Sequence, residues 1–529
     1  MGKFNTIPAR NALTVTHAGG KGYARGAKTE LVLLAVVNMV GERTFYETAG
    51  DRDDRFSRLV RTVAVEDGDW TGRFVAWLRG EAQMRTAALV AAAETAYARR
   101  EAGAHGLTRQ VVDAACQRAD EPGELLAYWV AHYGRAVPKP VKRGLADAVR
   151  RLYTERALLK YDAPNRVFRF ADVLELVHPA PDPAKPWQGA LFRHALDRRH
   201  SRPDTATDPA RPATVRARDE LSALPVERRR ELLRAPDAAE RLRRAGMTWE
   251  ALAGWLQGPM DAEAWEAVLP SMGLMAQLRN LRNFDQAGVS DEAAQLVIDR
   301  LGDPEEIARS RQFPLRFLSA YRAAPSPRWA PALERALNAS TANVPRLPGR
   351  TLVLADVSGS MLGTLSARST VRHADVAALF AAVLARRSGA VDLYGFADSW
   401  FRQPLAPGGS VLRDIEAFCD RIGEVGYGTR TADAIRACYA GHDRVVVISD
   451  MQAFAARSGF PSGRTQSVSE TVPRGTPLIG VNTTGYGPTS IDPRQPDRFE
   501  IGGFSDKLFT MVRLLSEGKA GRWPWESGA

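Results

Sequence analysis

Hydroxyls and carboxylates recur at three places in this chain in a spacing that could hold a hard cation. In "RTLVLADVSGSMLG" (350–363) an apolar run ends in Asp356, and Ser358 and Ser360 follow at alternate positions. In "GYGTRTADAI" (426–435) a glycine-rich loop presents Thr429 just ahead of a helical pattern. Asp450 closes a further apolar run, "RVVVISD" (444–450). Carboxylate and hydroxyl oxygens suit Mg²⁺, or Mn²⁺, in octahedral geometry. Serine and threonine ligate weakly, so such an ion would stay electrophilic toward a carboxylate from outside. Asp and Ser are also good helix N-caps, and the run 356–360 read alone fits that role equally well. Thr429 and Asp450, each on a neighbouring element, favour the cation.

A parallel sheet is what could bring three remote loops to one point. "TLVLAD", "VDLYGFAD" (391–398), "RVVVISD" and "TPLIGVNTT" (476–484) are continuous apolar runs. They alternate with helical patterns at 373–387 and 411–422. Strands apolar on both faces, alternating with helices, predict a doubly wound α/β domain. Ligands of such sheets bind beyond the carboxyl ends of the strands, where Asp356 and Asp450 fall.

Everything before residue 350 follows another period. Apolar residues three and four apart predict helices at 29–41, 55–66, 84–100, 125–133 and 142–153, and again at 227–235, 272–284 and 314–324. An array of antiparallel helices forms an α-solenoid with an extended or ring-like surface. Proline, alanine and unpaired charge dominate 179–218, which reads as an exposed or disordered insertion. Residues 338–350 read as a linker, giving a helical domain over 1–345 and an α/β domain over 346–529.

Charge separates the two halves as well. The 529 residues carry a formal +11. Residues 1–350 hold 53 Lys and Arg against 43 Asp and Glu, and residues 351–529 hold 19 against 18. Within the first half, residues 135–169 contain ten Lys and Arg but only three acids. A polyanion bound by the helical half is the expectation, although a merely solvated basic face would look the same. Three scattered cysteines without a C-x-x-C speak against disulfides or a zinc site and fit a reducing, cytoplasmic setting. No apolar run approaches the ~18 residues of a membrane span, and the start lacks the apolar core of a signal peptide. A Walker loop, H-E-x-x-H and G-x-S-x-G are all missing, so an enzyme is not expected.

The pattern Asp356-x-Ser358-x-Ser360, Thr429, Asp450 resembles the metal-ion-dependent adhesion site of von Willebrand factor A domains. With the helical, basic first half, the whole chain resembles the Ro family, the TROVE-domain RNA-binding proteins, in a bacterial form. The likeness runs through "YGRAVPKPVKRGLADAVRRLY" (133–153), "FADVLELVHPAP" (170–181), "MGLMAQLRNLRNF" (272–284), "DVSGSM" (356–361) and "VNTTGYGPTSIDP" (481–493). The resemblance implies a ring of HEAT-like helical repeats followed by the A domain, without catalysis and as a monomer. It implies Y-like RNA on the outer surface and single-stranded 3′ ends of misfolded noncoding RNA in the hole, for quality control or maturation with an exoribonuclease partner. It maps RNA contacts onto Lys139, Lys142, Arg143, Arg150 and Lys160. The His-Lys pair that family members often carry before D-x-L-x-L is Phe170-Ala171 here, so Arg166 or Arg169 would have to replace it. His178 either contacts RNA or simply ends a helix. Arg279, Arg282 and Arg316 either line the hole or pair with neighbouring acids. The alternative function is a protein adaptor whose metal site captures an acidic partner.

Overall fold

The computed structural model describes residues 13–15, 21–23, 26–37, 49–202, 211–310 and most of 312–502, omitting 313, 325, 345, 366–369, 406–408, 452–466, 485–489, 493–494 and 496; beyond 502 it describes a few isolated positions. The chain forms two compact units, residues 60–300 and residues 1–59 together with 301–529.

Unit 60–300 is helical throughout its described residues. Expected and observed helices coincide to within a few residues: Arg85–Glu101, Glu121–Tyr133, Lys139–Leu152, Val226–Leu233 and Leu274–Ala287. Each turns one apolar stripe inward. Val141, Leu145 and Val149 of Lys139–Leu152 are fully buried, as are Val112 and Ala115 of the helix Thr108–Ala115. The two helices touch through Gly144, where a Cβ would stand 2.5 Å from the Arg109 carbonyl oxygen. One methyl there would force them apart.

The stretch 179–218 is not the exposed insertion expected. A helix, Gln188–Arg199, buries Leu191, Phe192 and Ala195, and another, Ala213–Ser222, buries Val215 and Leu221. The apolar positions four apart were hidden among prolines and unpaired charges. Residues 203–210 of that stretch lie outside the described residues.

In the other unit a short hairpin, β1 (Leu13–Val15) and β2 (Lys21–Tyr23), comes first in the chain. The sheet consists of β3 (Leu347–Asp356), β4 (Ser388–Phe396), β5 (Trp400–Gln403), β6 (Arg444–Ser449), β7 (Leu478–Asn482) and β8 (Arg498–Gly502). Its order is β5-β4-β3-β6-β7-β8, parallel except for the antiparallel edge strand β5. Leu352 and Leu354 pack under the helix Thr431–Cys438 on one face. The helix His373–Arg387 packs against β3 and β4 as well. Strands fully apolar on both faces are what such double cover demands.

The change from helices to sheet near 345 is not where the compact units part. The helices Pro314–Ala323 and Ala330–Ser340 belong with the sheet, because specific polar contacts tie them there. Arg322 pairs with the buried Asp375 at 3.6 Å, and the Asn338 Oδ1 accepts from the Val411 amide at 3.1 Å. The expected linker 338–350 therefore includes the end of a helix, and its Ser340 is buried. The helix Ala27–Val37 packs on β8, and the Arg52 guanidinium donates to the Thr484 carbonyl at 3.3 Å.

Candidate functional site

Strand order reverses between β3 and β6, which run side by side from Thr351↔Arg444 to Ala355↔Ile448. Asp356 and Asp450 therefore emerge together at the switch point, the crevice where α/β sheets take ligands. Asp356 is fully buried. Its Oδ1 accepts from the Ser358 amide at 2.8 Å and its Oδ2 from the Ser449 hydroxyl at 2.6 Å. The Ser358 and Ser360 hydroxyls are 3.3 Å apart. Ser358, Thr429 and Asp450 are buried, and Ser360 is exposed at the rim. Burial, and then the neighbouring charge of Asp450, push the Asp356 carboxyl up to about 7. Two buried carboxylates that repel one another are stabilised by a cation between them.

The donors fit a hard, oxygen-preferring ion. Among the described residues no group of three or more His, Cys, Asp or Glu is placed to hold a metal ion, so an all-carboxylate or nitrogen–sulfur centre finds no support there. Asp356, Ser358, Ser360, Thr429 and Asp450 are the residues that would hold such an ion. Sequence reading overlooked Asp398, which fixes the loop carrying Thr429. Its Oδ2 accepts from the Tyr427 and Gly428 amides, both at 3.1 Å. The Gly359 amide in turn donates to the Tyr427 carbonyl at 3.1 Å, joining that loop to the serine loop. A Cβ at Gly428 would meet Asp398 Oδ1 at 2.1 Å, so the close approach needs glycine.

In the helical unit, Lys139–Leu152 exposes Lys139 and Arg143 and half-exposes Lys142 and Arg150. These four make no ion pair among the described residues, whereas Arg151 on the same helix is held by Asp113 at 2.7 Å. Lys160 is exposed, with its ammonium 5.2 Å from the Tyr161 ring centroid. Arg135, exposed just ahead of the helix, extends the row and was not singled out from sequence.

Arg166 and Arg169 have internal partners instead. Arg169 is largely buried against Asp162 at 2.6 Å. Arg166 bridges Glu124 at 3.2 Å and Asp120 at 3.5 Å. Phe170 and Ala171 are core residues. His178 is exposed and caps the helix Phe170–Val177 in the left-handed region (φ 52°). Arg279 and Arg282 are exposed on Leu274–Ala287, opposite the buried Leu278 and Leu281. Arg316 is exposed on Pro314–Ala323, in the other unit.

Beneath these surfaces lies a buried charge lattice no motif announced. Glu121 is fully buried and accepts from Arg79 (2.7 Å), Arg85 (3.0 Å) and the amides of Gln117 (2.6 Å) and Arg118 (2.9 Å). Asp120 beside it accepts from both Nε and Nη2 of Arg118, at 2.6 and 2.7 Å.

Residues 238–327 match the TROVE domain. The RNA-binding protein RO60 of Deinococcus radiodurans is 28% identical over 283 residues, 49% of this chain and 52% of that one. The crystal structure of the Deinococcus radiodurans RO (RSR) protein superposes on 93% of this chain and 100% of its own, with a TM-score of 0.65 and 22% identity. The chain is thus similar to Ro proteins, over the TROVE match in sequence and over most of its length in fold. Its helical array and C-terminal α/β domain follow that solved fold, while the chain spans about half the length of the curated relative it matches. A shorter stretch of 62 residues is 40% identical to telomerase protein component 1 of mouse, 11% of this chain and 2% of that protein. The three cysteines are free, and no described helix is long and apolar enough to cross a membrane.

Proposed function

We propose that this protein binds structured noncoding RNA through the face of Lys139–Leu152, without catalysing a reaction on it. The observation that carries this reading is the row Lys139, Lys142 and Arg143, solvent-facing and without carboxylate partners among the described residues. Unneutralised cations on a rigid helix match phosphates, release condensed counterions and give salt-dependent affinity. The relative in Deinococcus, named an RNA-binding protein, supports the same reading. The finer assignment is a Y-like RNA on this face and single-stranded 3′ ends of misfolded RNA at Arg279 and Arg282. An exoribonuclease would then act on the bound RNA. The metal cup, holding Mg²⁺ or Mn²⁺, is a separate site for an acidic protein partner; the exposed Ser360 beside buried carboxylates supports that division.

Replacing Lys139, Lys142 and Arg143 together by Glu tests the first assignment. Affinity for a structured RNA should fall by at least ~100-fold at ~150 mM salt, where phosphate contacts dominate. The fold should persist, since exposed charges contribute little to stability. Unchanged binding by the folded triple variant overturns the reading. For the 3′ ends, a tailed RNA should bind better than the same body blunt-ended. Arg279→Ala with Arg282→Ala should erase that preference and spare the body.

A further inference from the structure

Among the described residues only three Phe, Trp or Tyr side chains are exposed, Trp187, Trp400 and Tyr427. The last two border the loop that carries Thr429. Tyr427, 58% exposed, stands on the cup side: a Cβ at Gly359 would lie 4.0 Å from its own, and the exposed Ser360 follows Gly359. On the other side the Arg430 amide donates to the Ala397 carbonyl at 2.9 Å, which sets Arg430 beside the turn leading into β5 and Trp400. A depression of about 470 Å³ opens there, lined by Trp400, Arg430, Asp398, Asp433, Arg436 and Ala437. The helix Thr431–Cys438 supplies the last three from one face, at spacings of three and four residues.

The chemistry of this surface points outward. Trp400 makes no ring contact and Arg430 no ion pair among the described residues, whereas Arg436 is held by Asp433 at 2.9 Å. Asp398, bonded to the Tyr427 and Gly428 amides, keeps the loop rigid, so an aromatic ring and a cup residue ride on one fixed support. Trp, Tyr and Arg are the side chains that interfaces concentrate at their centres. The unpaired charge of the depression is Arg430, and a cation in the cup draws a carboxylate, so both ends of the surface ask for acid. Between them Trp400 and Tyr427 offer apolar area. A phosphate backbone fits badly, because Asp398 and Asp433 stand in the wall. Residues 351–529 also hold 19 Lys and Arg against 18 Asp and Glu, too even a balance to gather a polyanion.

We infer that Trp400, Tyr427 and Arg430 form the docking shelf of a polypeptide partner. Its segment sets one acidic side chain over the cup, an apolar side chain against Trp400 and a second acid on Arg430. The inference rests on the reading of the cup as a site for an acidic protein, and adds the surface that tells one acidic protein from another. An ion accepts any carboxylate, so specificity falls to the side chains around it.

The test starts from short random peptides displayed on phage and selected on the full chain in Mn²⁺. Recovered sequences should carry an acid and, a few positions away, an aromatic or aliphatic residue. One recovered peptide, fluorescently labelled, is then titrated into wild type, Trp400→Ala and Arg430→Ala. Each substitution should weaken binding about tenfold or more, the loss expected of an interface anchor, and EDTA should abolish binding to all three. Both variants should keep the wild-type thermal shift in Mn²⁺, which shows the cup intact. Arg430→Ala, at an exposed position, serves should Trp400→Ala fold poorly. Equal affinity for wild type and both variants overturns this inference while the acidic-partner reading stands. Recovery of no acidic sequences, or binding unmoved by EDTA, overturns both. Loss of affinity for a single-stranded RNA oligomer in both variants makes the shelf an RNA surface and overturns the polypeptide assignment.

Discussion

The proposed metal cup and the basic face differ in how their members are chosen. The cup draws on three loops up to 94 residues apart, yet each candidate ligand announces itself by type and place, at a strand end or in a glycine loop. On the basic face every residue has the right type, and packing decides which remain free. Arg151 and Lys142 sit on one helix, but Asp113 neutralises the first and nothing described neutralises the second. Arg166 and Arg169, equal to Lys139 in sequence, are committed to Asp120, Glu124 and Asp162. A coordination site is therefore coded by pattern, and an electrostatic surface by what folding has left unpaired.

The contrast fails most visibly if the committed charges turn out to be dispensable. Glu121→Ala strands the buried Arg79 without its carboxylate and should cost about 3–5 kcal/mol, read from denaturant unfolding. A loss near zero would make the lattice decoration and Arg166 as free as Lys139. Next in size is the cup. Saturating Mn²⁺ at ~100 times its dissociation constant should stabilise wild type by about 2.7 kcal/mol. It should leave Asp356→Ala with Ser358→Ala unshifted in thermal melts, with RNA affinity equal to within about twofold. A large loss of RNA binding in that folded variant would merge the two regions into one.

A smaller effect sharpens the division between free and committed arginines. Arg143→Ala should lower the slope of log affinity against log salt by about one contact. Arg169→Ala should keep the slope and lower stability instead, since it breaks the pair with Asp162. Identical slopes for Arg143→Ala and wild type would count against a phosphate contact there. The smallest effect concerns pH. Burial raises the Asp392 carboxyl, but hydrogen bonds from His442 (3.0 Å), Arg350 (2.6 Å) and Arg402 (2.8 Å) outweigh it and hold it below the usual range. A depressed carboxyl contributes stability above about pH 4 that is lost as pH falls through its folded value. Asp392→Asn should therefore narrow its melting deficit against wild type as pH drops from 7 toward 3. A deficit constant across that range would deny Asp392 its charged role.

Much of the architecture was legible in advance because it rests on period. The runs at 351–356 and 444–450 became β3 and β6, and the pattern at 373–387 became a helix with those same ends. What escaped depends on distant partners or short segments. Four residues, Trp400–Gln403, are too few to show alternation, so the antiparallel edge strand β5 went unseen. The helix Gln188–Arg199 was masked by the prolines around it. Asp398 was passed over because its role is to hold backbone amides 29 and 30 residues away. Tyr153 looked like the last apolar residue of a helix, and only packing shows its hydroxyl without a partner.

The discontinuous unit has a consequence for how the chain leaves the ribosome. The helix Ala27–Val37 buries Leu31, Val32, Leu34 and Ala35, and the strand it packs on is β8, Arg498–Gly502. Part of its apolar face is thus made more than 400 residues before the strand that it packs on. At ~5–20 residues per second, synthesis of the intervening chain takes on the order of 20–90 s. Throughout that interval the unit 60–300 can fold behind it, while the first helix waits with a greasy stripe in water. Ala27–Val37 is a segment in need of a chaperone, and a truncation before β8 should never release it.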